Sequence, residues 1–246
     1  MNKNSLFLSL SAVLLLAGCA SSDYSNEDRS AIYSSNEYLP KTKAIPRSTE
    51  ASLAAANKAG DKQEALAILQ KIYVDNPKDP VVAVRYGRLL REDDQIKAAE
   101  KVLQPYTGGK NANDLALTEM AMTQIALGNF PAAQTYAEKA LKLNDKNARS
   151  HLALGTALDA QKEHQKAEVA FRNGMKHWKG DPTPIMNNLA LNLASQGHLQ
   201  EALSLIEKAL DKNPNRLDLE RNRRIIATLL ESTGPRAPAP AKKPTS

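Results

Sequence analysis

The chain has 246 residues, 42% of them apolar, 24% charged and only 4% aromatic, with alanine and leucine dominant. This is enough for one substantial core, and it favours closely packed helices over a core built on a sheet. The formal charge of +6 falls to +5 when residues 1–18, which carry only Lys3, are set aside; so mild an excess suits either a solvated surface or an anion-binding face. Cys19 is the single cysteine, which excludes disulfide scaffolds, multi-cysteine zinc sites and dithiol chemistry.

Lys3 is followed by an apolar run from Leu6 to Leu16. The run is short for a membrane span and the right size for the core of a secretory signal. It ends in Leu16-Ala17-Gly18-Cys19, which resembles the bacterial lipobox. The resemblance implies a lipoprotein signal peptide over 1–18 and acyl chains on Cys19; ordinary cleavage or an uncleaved anchor is the alternative. Several acyl chains hold a protein to a membrane far more firmly than one, at roughly 0.8 kcal/mol per buried methylene. Ala20 and Ser21 stand where related lipoproteins of Gram-negative bacteria carry the Asp that retains them at the inner membrane. The resemblance therefore implies the periplasmic face of the outer membrane, with palmitate-type lipidation as the anchor.

Residues 19–45 then read as a lipidated cysteine and a polar, serine-rich tether without apolar periodicity. As a coil, such a length spans on the order of 30 Å root mean square. Tyr24, Tyr33 and Tyr38 are placed either to dock on the folded body or to remain solvated.

From Pro46 onward one unit recurs. Its clearest copy is Thr183 to Arg216, where Leu189, Leu193, Leu199, Ala202, Ile206 and Ala209 give apolar spacing of three and four on either side of Gly197. This predicts two amphipathic helices folded back on one another. Ala202 has counterparts at Ala167, Ala133, Ala99 and Ala65, at separations of 35, 34, 34 and 34 residues. A small side chain at a fixed phase marks the closest approach of the two helices. Gly60, Gly128 and Gly197 share the turn phase. Gly87, Ala121, Gly155 and Ala190 share a contact in the first helix, and Leu69, Leu103, Phe171 and Ile206 share one in the second.

These positions resemble the tetratricopeptide repeat, a helix-turn-helix unit of about 34 residues. The resemblance implies an all-α solenoid of about five units over 46–231, beginning near Pro46, Pro80, Asp114, Ala148 and Thr183. Three departures stand out: Leu53 at the small-residue contact of the first unit, the loop Thr107-Gly108-Gly109-Lys110 ending the second, and terminal-turn prolines only at Pro77 and Pro214. After Arg216, Leu219, Ile226 and Leu230 place a last amphipathic helix against the final hairpin as a capping helix, with Arg221, Arg223 and Arg224 outward. Residues 232–246 form a Pro/Lys-rich tail expected to stay disordered or extended.

Catalytic and metal signatures are weak. His151, His164 and His177 are 13 residues apart and fall on a first helix, a turn edge and the end of a second helix, which do not converge; helical metal ligands sit at i, i+3 or i+4. Glu92-Asp93-Asp94 reads as a solvated inter-helix turn, where carboxylates gain no pKa shift from burial. No phosphate-binding loop, dinucleotide fingerprint or nucleophile elbow occurs. The expectation is a protein that is not an enzyme and has no cofactor, no metal, no small-molecule substrate and no nucleic-acid partner.

By resemblance to the repeat family, first helices line the concave face of the stack. The groove candidates are then Val84, Arg88 and Arg91; Leu115, Thr118, Met122 and Ile125; Arg149, Leu152, Thr156 and Asp159; and Asn187, Leu191 and Ala194. Some of these equally suit packing between repeats. The whole layout, with Met186-Asn187-Asn188-Leu189 and the basic capping helix, is similar to the TadD lipoproteins of the tight-adherence (Flp) pilus, or Tad secretion, system. That resemblance implies a pilotin-like adaptor for protein-protein interaction in pilus assembly, with the outer-membrane secretin or another pilus assembly protein as partner. Type IV pilus secretin lipoproteins share the layout, and an adaptor for peptidoglycan hydrolases is a rival.

Overall fold

A computed structural model describes Thr42 and residues 44–233. The expected signal peptide, Cys19, nearly all of the tether and the tail from 234 lie outside the described residues. The described chain is all helical, in five hairpins and a final helix. The hairpins are α1 (Arg47–Ala59) with α2 (Lys62–Asp75), α3 (Pro80–Glu92) with α4 (Ile96–Leu103), α5 (Asp114–Ala126) with α6 (Phe130–Leu143), α7 (Ala148–Ala160) with α8 (His164–His177), and α9 (Thr183–Ser195) with α10 (Leu199–Lys212); α11 (Leu217–Thr233) follows.

Each hairpin turns by the same device. One residue takes a left-handed conformation: Gly60, Asp94, Gly128, Lys162 and Gly197, with φ of 72°, 62°, 73°, 65° and 83°. The next amide then reaches back five residues to a helix carbonyl, Asp61 to Ala56 at 2.9 Å, Gln95 to Leu90 at 2.8 Å, and Asn129 to Gln124, Glu163 to Leu158 and His198 to Leu193 at 2.9 Å. This is the Schellman closure, which satisfies a carbonyl that the ending helix would leave unpaired. Glycine marks three of these turns in the sequence; Asp94 and Lys162 hold the same geometry without it.

First helices are started by Asp79, Asn113 and Asn147, whose side chains accept from the amides two and three residues on, at 2.8 to 3.3 Å. Within a hairpin the helices meet at Ala65, Ala99, Ala133, Ala167 and Ala202, all 0% exposed. Small residues of the first helix admit large ones of the second. A Cβ added to Gly155 would lie 2.5 Å from the Phe171 ring, and one added to Gly87 would lie 2.8 Å from Leu103 Cγ.

The second hairpin is the irregular one. Its α4 has only 8 residues, because Pro105 has no amide to donate and restrains Gln104 before it. Two 3-10 turns, Gln104–Tyr106 and Gly109–Asn111, complete the connection, and the Tyr106 hydroxyl donates to the Pro77 carbonyl at 2.6 Å. The core forms three clusters along the stack, bridged by partly buried residues: Tyr73, Tyr86 and Leu89 pack against the first and second, and Tyr136 against the second and third. One cluster is centred on Ile45, Leu53 and Leu69 and a second on Val84, Leu103 and Met120, while the largest runs from Ala121 to Ile226. Leu219 and Ile226 of α11 are 0% exposed and seal the last hairpin.

Candidate functional site, an arginine cluster across three first helices

Arg88 and Arg91 lie about one turn apart on α3. They face Glu119 of α5, which Arg149 of α7 approaches from the other side. Arg88 donates to Glu119 Oε1 through Nε at 2.9 Å and Nη2 at 2.7 Å, Arg91 Nη2 to Oε2 at 3.0 Å, and Arg149 Nη2 to Oε1 at 3.2 Å. All four side chains are at most 7% exposed. Three guanidinium groups thus surround the Glu119 carboxylate. Burial by itself raises the Glu119 carboxyl, but Arg88, Arg149 and Arg91 together outweigh it and hold the group ionised, well below the usual carboxylate range. Arg88 Nη1 is buried with no hydrogen-bond partner among the described residues.

Glu92 corrects the expectation of a solvated acidic turn. It is the last residue of α3, its side chain is 13% exposed, and Oε1 lies 3.9 Å from Arg91 Nη2, beyond hydrogen-bond reach. Burial pushes its carboxyl up, Arg91 and Arg88 partly offset that, and the nearby Glu119 charge adds to it.

The other groove candidates divide by chemistry. Thr118 Oγ1 is 2.6 Å from Ser150 Oγ and accepts from Asn147 at 3.2 Å. Thr156 accepts from Asn188 at 3.1 Å, Asp159 accepts from Asn192 at 2.6 Å and pairs with His164 at 2.7 Å, and Asn187 accepts from Asn222 at 2.8 Å. Each contact joins successive units or the capping helix, apart from the local Asp159 to His164 pair, so these polar groups latch the stack. Val84, Met122, Leu152 and Ala194 are buried in the core, whereas Leu115, Ile125 and Leu191 are partly buried at its edge. Only Arg88, Arg91 and Arg149 are drawn into one centre. The residue that draws them, Glu119, was not among the candidates. Its signal in the sequence is an acid in α5 set between the core residues Leu117 and Met120, one repeat after the two arginines.

The histidines are dispersed, with one exception. His164 pairs with Asp159, and His151 Nε2 lies 2.8 Å from the Asp145 carbonyl oxygen. His151 and His177, expected apart, are near enough for His177 to help lower the His151 pKa, after burial as the main cause.

Models of the tetratricopeptide repeat match residues 56–117, 118–174 and 184–216, stretches that fold here as helical hairpins. The chain belongs to the tetratricopeptide-repeat proteins. No curated protein matches it. Among solved structures it is similar to a thermophilic TPR protein of Thermus thermophilus at 22% identity and a TM-score of 0.63, over 75% of this chain and 98% of that one. It is also similar to a tetratricopeptide repeat protein from Parabacteroides merdae at 15% identity and a TM-score of 0.53, over 77% and 75%. MamA from Desulfovibrio magneticus gives 15% and 0.50, over 73% and 98%. At these identities the likeness is one of fold. Repeats of this family are protein-protein interaction scaffolds, and the three arginines lie buried on two of its first helices, α3 and α7.

Proposed function

We propose that this tetratricopeptide-repeat chain is a non-enzymatic adaptor, anchored through Cys19 to the periplasmic face of the outer membrane, that binds a segment of a pilus secretin in its concave face. The observation that carries the binding role is the row formed by Arg88, Arg91, Glu119 and Arg149 across three successive first helices. Such a row fixes three successive first helices relative to one another, and in this reading those helices carry the face on which a peptide lies across the stack. The lipobox and the layout similar to the TadD lipoproteins support the membrane and the pilus context.

The test is affinity capture of the acylated protein from envelope extracts of its own host. Recovery of a secretin supports the reading. Recovery of peptidoglycan hydrolases without secretin overturns it in favour of a cell-wall adaptor.

A further inference from the structure

We infer that His151 and His177 form an acid-sensitive clasp: at neutral pH the His151 ring holds the turn between α6 and α7, and on acidification it releases that turn and loosens the fourth hairpin from the third. The clasp goes beyond the proposed function, and neither the lipid anchor nor a secretin enters it.

His151 lies half-buried in the first turn of α7, at a place where three helices meet. A Cβ added to Gly174 of α8 would lie 3.0 Å from His151 Cβ and 2.6 Å from Ile185 Cδ1 of α9, so the bare glycine lets both neighbours close on α8. His177 is three residues beyond Gly174 and hence on the face of α8 that meets His151. It is itself exposed.

His151 Nε2 lies 2.8 Å from the Asp145 carbonyl oxygen. A carbonyl only accepts, so Nε2 carries the ring proton and Nδ1 of the neutral ring is bare. Nδ1 is buried with no hydrogen-bond partner among the described residues. A second proton on the ring would therefore create a buried donor with nothing to receive it. The charged groups facing the ring are Asp145 in the turn and His177 on α8, while α9 offers the apolar Ile185. Burial is the main cause that lowers the His151 pKa; the Asp145 carbonyl opposes it, the His177 charge adds to it, and the Asp145 carboxylate opposes it. With the folded value below the unfolded one, the stabilisation is present in full above the ordinary histidine range and is lost as pH falls from there toward the folded value.

The turn so held joins two hairpins. Asn144 donates to Asp114 Oδ2 at 2.9 Å, and Asn147, at the head of α7, donates to the same oxygen at 3.1 Å and to Thr118 Oγ1 at 3.2 Å. Asp145 stands between these two latches, so release of its carbonyl frees the segment that fixes α7 against α5.

The test is amide hydrogen exchange of the purified full chain at about pH 7 and about pH 5, corrected for the intrinsic change of rate with pH. The amides of Arg149 and Ser150 donate to Asn147 Oδ1 at 3.2 Å. Their protection should fall about tenfold at the lower pH, the worth of one hydrogen bond. Leu115 and Ala116, held by the same kind of cap at Asn113 in a helix without histidine, should keep theirs. In His151→Gln, which retains a donor but cannot titrate, the fall should vanish. An equal fall in His151→Gln, or at both caps, would overturn the inference. Ring resonances of the unaltered protein give a second check that needs no substitution. His151 should titrate below the ordinary histidine range with its neutral ring protonated on Nε2; a ring that titrates at or above that range, or carries its proton on Nδ1, would equally overturn the clasp.

Discussion

At the scale of single residues, Glu119 sets the electrostatics of the arginine cluster. Replacing it by Gln leaves three buried guanidinium groups without their shared counter-charge. Removing one member of a buried ionic cluster costs about 3–5 kcal/mol, so Glu119→Gln should lower unfolding free energy by that order in urea titrations at pH 7. The sign of the pH dependence follows from the lowered folded pKa. The stabilisation from Glu119 is present in full above the ordinary carboxylate value of 4.5 and is lost as pH falls toward the folded value. The gap between wild type and Glu119→Gln should therefore shrink on acidification below that point; a constant gap would mean that Glu119 acts through shape alone. Glu92 has the opposite sign. Its raised pKa makes the ionised form costly in the fold, so Glu92→Gln should gain stability relative to wild type at pH 7 and lose that advantage below pH 4.5. Lys162 supplies a backbone test. Its φ of 65° puts an ordinary side chain in the left-handed region, and Lys162→Gly should raise stability by about 0.5–1 kcal/mol, measured by thermal melting, as strain relief exceeds the entropy that glycine adds to the unfolded chain.

At the scale of the element, the hairpin is a device for bringing two helices together over a small residue. Ala202 is fully buried where α9 and α10 meet. Ala202→Leu inserts three carbons into a filled space and should cost about 1–3 kcal/mol; an unchanged melting temperature would contradict that close approach. Gly155 makes the same point from the other helix, because its missing Cβ is the space taken by the Phe171 ring. The alanine phase, the starts of the hairpins and the repeat phases of Gly155 and Phe171 were legible in the sequence because each depends on side-chain size repeated at a fixed interval; that Phe171 fills the space beside Gly155 is a finding of the structure. The shortened α4 was foreshadowed by its loop. The left-handed turns at Asp94 and Lys162 were not legible, since the tertiary closure imposes them on residues with no preference for that conformation.

At the scale of the whole molecule, the stack ends in a capping helix. Its last hairpin is sealed by α11 through Leu219 and Ile226. Ile226→Ala should cost about 2–5 kcal/mol, and hydrogen exchange should then rise first in α9 and α10, because in a repeat array each unit depends on its neighbour. Anchoring belongs to this scale too. Cys19→Ser should release the protein from outer-membrane fractions while its circular dichroism stays unchanged, and retention in the membrane would refute the proposed lipid anchor.

The sequence by itself determined the class, the repeat and the register, because helical periodicity and small-residue spacing are local properties that recur every 34 or 35 residues. Only the tertiary structure decided which of the concave candidates act together. Arg88, Arg91 and Arg149 meet because Glu119 stands between them on the intervening helix. Thr118, Thr156, Asp159 and Asn187 turned out to be engaged with neighbouring residues. Residues some 30 positions apart become neighbours when hairpins stack, and which of them pair depends on side-chain reach and charge across that interface, information that no single repeat contains.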